Sequence, residues 1–277
     1  MKKMQTRLLD RGLCWIVLPL TLLLSWSLPD NQNISGFKGP LHNPGGSHED
    51  SAVALKEVKT LYAPVLHNQG IATDGKYIYV SPDHNTIEKR NIRDFKLVKS
   101  ATYPNKIGGL FYDSIAGEIL TGSGQYVTGG DAFISRIDPD DLRMIKTVDI
   151  SRYTEQGINA IVRVGNRIYV GETAVASDAK PKSWYLFGSD FKFIGKVYSH
   201  ASDKGRYNWQ DATVYKGKIY ATDHKGFVFA FKILPDGKLL SLGSYNSLGQ
   251  YPEGIAYTGG RFLMWKAKQG IVQAQLQ

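Results

Sequence analysis

Residues 70–81 read GIATDGKYIYVS and residues 253–266 read EGIAYTGGRFLMWK. In each, a short apolar strand meets a tight glycine turn and returns as an aromatic-rich strand. Asp74-Gly75 and Gly259-Gly260 supply the turn chemistry, because glycine takes positive φ at little cost. The same hairpin recurs between them as GLFYDSIAGEILTG (109–122), NAIVRVGNRIYVGE (159–172) and QDATVYKGKIYATD (210–223). A third strand follows each hairpin: TIEKRN (86–91), AFISRID (132–138), WYLFGSD (184–190), FVFAFKI (227–233) and GIVQAQL (270–276). A fourth strand follows in four units: FKLVKSATY (95–103), MIKTVDIS (144–151), FIGKVYS (193–199) and LLSLGSYN (239–246).

The fifth unit reaches the end of the sequence before a fourth strand. A strand of that pattern stands at the other end instead, as LKEVKTLYAP (55–64) beside KLVKSATYP (96–104). A ring of four-stranded blades closes in this way and leaves no open sheet edge. The expected fold is therefore all-β: a five-bladed β-propeller over residues 55–277, its last blade completed by the N-terminal strand. Unit openings at Gln69, Gly108, Asn159, Gln210 and Glu253 are spaced by 39, 51, 51 and 43 residues, in keeping with blades of about 40–50 residues.

The composition agrees with a folded domain of ordinary type. In 277 residues, 42% are hydrophobic and 21% charged, which excludes collagen-like, coiled-coil and wholly disordered classes. The formal net charge of +9 is spread along strands rather than gathered on one face. With no basic helix or RNA-binding signature, nucleic acid is not an expected partner. The single cysteine, Cys14, excludes an internal disulfide and CxxC metal clusters.

Residues 1–28 place Lys2, Lys3, Arg7 and Arg11 before the apolar stretch GLCWIVLPLTLLLSWSL, with Ser25 and Ser27 near its end. That is the layout of a secretory signal, and the apolar run falls short of the ~20 residues that span a bilayer. The reading is an exported protein, secreted or periplasmic; the alternative is an uncleaved N-terminal anchor, which would be its one link to a membrane. Residues 29–54 are polar and rich in Gly, Pro and Asn, and read as a flexible spacer.

In a propeller the loops entering the inner strands, and those joining second to third strands, meet at one mouth of the central channel. The ligand-binding set expected there is Gln69, Asn159, Asn208, Trp209, Gln210 and Glu253. Trp209 offers an aromatic face for stacking, or else anchors the loop in the core, and the amides suit a hydrogen-bonding ligand. Strand alternation predicts that Gln210 and Asp211 face opposite ways. The opposite face, built from hairpin turns, is expected to offer few convergent side chains. Asp83-His84 and Asp223-His224 read as turns rather than acid–base pairs, and no GxSxG nucleophile elbow is present.

Units such as NQGIATDGKYIYVS (68–81) and PEGIAYTGGRFLMW (252–265) resemble blades of the broad NHL/YVTN/SMP-30-like propellers. In the SMP-30/gluconolactonase branch, a Glu-Gly opening an inner strand belongs to a divalent-metal site completed by Asn and Asp. The resemblance implies a metal set of Glu253, Asn159 and Asp211, calcium being the candidate ion, though that branch has six blades and opens its first blade with the Glu. From the residues themselves no cofactor is expected. Three functions follow: a non-catalytic propeller binding a protein, a carbohydrate or a small polar ligand at the mouth; a metal-dependent hydrolase or lactonase, or glycoside hydrolase, using Glu253; or a structural or assembly module whose rigid disc presents surfaces.

Overall fold

The computed structural model describes residues 55–62, 69–83, 85–124, 131–173, 183–199, 208–223, 227–246, 252–266 and 270–276. The leader and spacer of the sequence reading, His84 and His224, and the end of the closing strand at residues 63 and 64 lie outside them.

The described residues form twenty strands in five four-stranded antiparallel sheets. The first is β1 (Leu55–Tyr62). Blade 1 contains β2 (Ile71–Thr73), β3 (Tyr77–Val80), β4 (Thr86–Asn91) and β5 (Leu97–Thr102). Blade 2 contains β6 (Leu110–Asp113), β7 (Glu118–Gly124), β8 (Ala132–Ile137) and β9 (Met144–Asp149). Blade 3 contains β10 (Ile158–Val164), β11 (Arg167–Glu172), β12 (Ser183–Gly188) and β13 (Phe193–Ser199). Blade 4 contains β14 (Trp209–Tyr215), β15 (Lys218–Asp223), β16 (Phe227–Ile233) and β17 (Leu239–Asn246). Blade 5 contains β18 (Pro252–Thr258), β19 (Arg261–Lys266) and β20 (Gly270–Leu276), with β1 as its outer strand. This is the expected five-bladed propeller, closed by the N-terminal strand.

Each hydrophobic cluster lies between two blades. Trp184, Trp209, Phe229 and Phe231 join blades 3 and 4, while Tyr79, Ile87, Leu110 and Leu142 join blades 1 and 2. A blade is thus apolar on both faces in its middle strands, so β11 and β19 read as nearly continuous buried runs. The outer strands β5 and β9 are mostly exposed.

The closure has its own ion pair. Lys266 at the end of β19 is 1% exposed, and its Nζ lies 3.3 Å from Glu57 Oε2 on β1. Register runs from Leu55↔Leu276 to Tyr62↔Ile271.

The turns between third and fourth strands repeat a triplet: Asp94-Phe95-Lys96, Asp141-Leu142-Arg143, Asp190-Phe191-Lys192 and Asp236-Gly237-Lys238. In each, the Asp Oδ1 accepts the N–H two residues on. The middle residue has positive φ, from 57° at Phe95 to 89° at Gly237. For Phe95 and Leu142, burial of the side chain offsets the cost of that backbone.

Removing residues 52–64 opens blade 5 and leaves Lys266 without Glu57. The shortened protein is expected to melt lower by about 10 °C or more in a circular-dichroism scan. An unchanged melting temperature would refute this account of closure.

Candidate functional site at the propeller mouth

An inner strand of a propeller turns one backbone edge toward the axis, where its N–H groups need acceptors. Here Asp211 supplies them. Its Oδ2 accepts the N–H of Ile71 on β2 at 3.0 Å and of Ile255 on β18 at 3.0 Å. Its Oδ1 accepts the N–H of Leu110 on β6 at 3.0 Å and of Ala212 at 2.9 Å. One fully buried carboxylate therefore binds the inner strands of blades 1, 2, 4 and 5. Blade 3 joins through its backbone, since Asn159 O accepts the Gly109 N–H at 3.1 Å. Burial pushes the Asp211 carboxyl up, against the pull of its four N–H donors. The close approach needs glycine: a Cβ on Gly109 would lie 2.5 Å from Asp211 Oδ1, and one on Gly108 would lie 2.6 Å from Asn159 Oδ1.

This corrects two expectations. Asp211 does not fit a metal set, because its four acceptor positions are filled by backbone N–H groups. Among the described residues no group of three or more His, Cys, Asp or Glu is gathered around a possible metal. The alternation argument about Gln210 and Asp211 also fails, because register shifts between Trp209 and Asp211. Equivalent shifts fall between Ile158 and Ala160, and between Pro252 and Gly254. Asn159, Gln210 and Glu253 are thus the extra residues of three β-bulges, a device that re-aims a side chain at the end of a strand.

At the mouth, Asn159 Nδ2 donates to Gln210 Oε1 at 3.2 Å and to Thr173 Oγ1 at 3.5 Å. The Thr173 hydroxyl donates to Asn208 Oδ1 at 2.8 Å, and Gln210 Nε2 donates to the Asn208 carbonyl at 3.4 Å. Asn159, Asn208 and Gln210 are therefore brought together, linking blades 3 and 4. Gln69 opens blade 1 as a nearly buried residue whose N–H donates to Ser81 O. Nothing in its local sequence marks Thr173 as a member of this set.

Trp209 is corrected as well. It is wholly buried, with ring centroids 5.5 Å from Trp184 and 5.3 Å from Phe229, so it packs blades 3 and 4 together and offers no face to a ligand.

Glu253 is half-buried and carries its charge near Lys106. Burial lowers the Lys106 ammonium to about 8, and the Glu253 carboxylate opposes that fall. Two other carboxylates near the mouth have structural partners. Glu172 accepts the Glu155 N–H and the Tyr185 hydroxyl at Oε1 and the Ser183 N–H at Oε2. Asp223 Oδ1 accepts the Phe227 N–H at 2.7 Å.

No protein-family model matches the chain, and no curated protein matches it. Among solved structures, the chain is similar to the glutaminyl cyclase of Myxococcus xanthus, with a TM-score of 0.58 and 15% identity over 82% of this chain and 98% of that one. It also matches the WD40 repeats of RRP9, at TM-score 0.46 and 9% identity over 82% and 99% of the two chains. The Pan2 WD40 domain of Neurospora crassa matches at 0.42 and 10% identity, over 75% and 62%. At such identities the likeness is one of fold.

Two outcomes are expected. Asp211→Asn turns an NH2 group toward two backbone N–H donors and is expected to destabilise the protein by about 3 kcal/mol or more in urea unfolding; a change under ~1 kcal/mol would remove Asp211 from its central role. Amine labelling across a pH series is expected to give Lys106 a midpoint near 8. Glu253→Gln removes the opposing charge, so that midpoint should fall further. A midpoint like that of exposed lysines contradicts the burial of Lys106, and one unmoved by Glu253→Gln contradicts the pairing.

Proposed function

We propose that this chain is an exported propeller that binds a small polar ligand, a carbohydrate or a peptide segment, at the mouth. The observation that carries the reading is the linked set Asn159, Gln210, Asn208 and Thr173 at the ends of β10, β14 and β11; Asn159, Gln210 and Thr173 are buried and hold the part-exposed Asn208, which with Glu253 faces an incoming ligand. Amide groups both donate and accept, and those held in place by bulges lose little freedom when a ligand arrives. Glu253, on the third bulge, supports the same reading. Kinship with NHL/YVTN/SMP-30-like propellers rests on the blade sequences, and export on the leader-like residues 1–28.

A second reading is favoured by one observation, the partly buried Lys106 within electrostatic reach of Glu253, where burial lowers the ammonium to about 8 against the pull of the carboxylate. Such a pair suits proton transfer near neutral pH. With a glutaminyl cyclase among its structural neighbours, the chain is a candidate for cyclising an N-terminal glutamine. In that step the α-amine attacks the side-chain amide carbon and ammonia leaves, with Glu253 taking the proton from the amine and giving it to the departing nitrogen. Glycoside hydrolysis needs two carboxylates across the substrate, and the structural duties of Glu172 count against it as the second.

The test uses the exported protein, whose N-terminus is expected between about residues 26 and 32. It is titrated with neutral oligosaccharides and with peptides beginning in glutamine, while ammonia release is followed. The binding reading expects saturable binding without ammonia, weakened about tenfold by Asn159→Ala or Gln210→Ala and only about threefold by Glu253→Gln. Ammonia release abolished by Glu253→Gln replaces it with the enzyme reading. Absence of both binding and release sinks both.

A further inference from the structure

A cavity of about 420 Å³ opens on the face opposite the mouth, within the range of small-ligand sites. Its lining comes from the inner strands of all five blades, and none of Gln69, Asn159, Gln210 or Glu253 belongs to it. Ile71, Leu110, Ala212 and Ile255 line it, and their N–H groups are the four bound by Asp211. The Asp211 cluster therefore stands between this cavity and the mouth. The sequence predicts few convergent side chains on this face, and what converges there is chiefly the backbone of the inner strands.

The charged groups here are already committed. Arg163 Nη1 donates to Asp113 Oδ2 at 2.9 Å, and its Nε donates to Gly165 O. Asp74 accepts two backbone N–H groups at Oδ1 and the Tyr79 hydroxyl at Oδ2. The free hydrogen-bonding capacity lies in the strand edges. In an antiparallel strand, alternate residues present both N–H and C=O to the same side. The N–H groups of Ile71, Leu110 and Ile255 face the axis, and pairing continues from them without a register shift. Thr73, Tyr112 and Tyr257, two residues further, thus turn both groups into the cavity they line. The Thr213 hydroxyl adds one more donor and acceptor, and the apolar side of Phe111 forms part of the wall.

We propose that this cavity is a second ligand site, for an uncharged polyhydroxylated molecule of about monosaccharide size. Donors and acceptors alternate around its wall, which matches hydroxyls that both donate and accept. No unpaired charge asks for an ion. An apolar wall suits the C–H face of a sugar ring.

The test is a ¹⁵N NMR titration of the full protein with glucose, galactose, mannose and myo-inositol in turn, and with benzoate as a charged control. At least one polyol is expected to move the amide signals of Thr73, Tyr112 and Tyr257 in a saturable way. Thr213→Val, close in shape, is expected to weaken that polyol several-fold, about the loss of one hydrogen bond. Ser114→Trp, at an exposed rim position, is expected to weaken it about tenfold or more by obstruction, with melting unchanged. Silence with all four polyols, shifts confined to Gln69, Asn159 and Gln210, affinity unchanged in both variants, or tighter binding of benzoate than of every polyol would each overturn the proposal.

Discussion

The carboxylate of Asp211 bonds to backbone N–H groups on four inner strands, and the arrangement of the axis follows from it. Inner strands of a propeller have no neighbour on their axial side, so their edges would otherwise be left to water. A neutral side chain would serve fewer donors, because an amide or a hydroxyl carries hydrogens of its own. A carboxylate accepts only. It draws the strands close enough that Gly108 and Gly109 become necessary, and it divides the axis into a mouth above and a cavity below.

Both regions inherit rigidity from this arrangement. Above, bulges lift Asn159, Gln210 and Glu253 out of the alternation their strands would impose. Below, regular pairing preserves the alternation, and the lining is backbone as much as side chain. One end is specified by residue type and the other largely by geometry, so the two differ in how freely their sequences could vary.

The blades were legible because their signals are local. Asp74-Gly75 or Gly165-Asn166 announces a hairpin whatever surrounds it, and the stray strand at 55–64 matched the repeat it completes. The triplets from Asp94-Phe95-Lys96 to Asp236-Gly237-Lys238 vary at the middle position, and their shared positive φ shows only in the fold. Trp209 misled because an aromatic residue at a strand opening looks the same whether it faces a ligand or a neighbouring blade. Asp211 left one clue, an acid inside the apolar run WQDATVY, where burial demands partners. Those partners come from segments up to 140 residues away, and no local pattern reveals them. The bulges were hidden for a related reason: a one-residue slip is a property of two strands together. Lys106 is ordinary in sequence; its burial and its carboxylate neighbour set it apart.

The pairing of Leu55 with Leu276 bears on how the molecule is made. The strand synthesised first is matched to the strand synthesised last, so β1 waits for nearly the whole domain before it acquires its partner. Four blades can be assembled from neighbouring segments as they appear, but the ring remains an open arc until then, with the faces of its terminal blades uncovered. Final closure is thus a long-range step, set by the entropy of bringing distant segments together. During that interval β1 and β20 are both unpaired edges, the part of the chain most in need of protection from pairing with another copy.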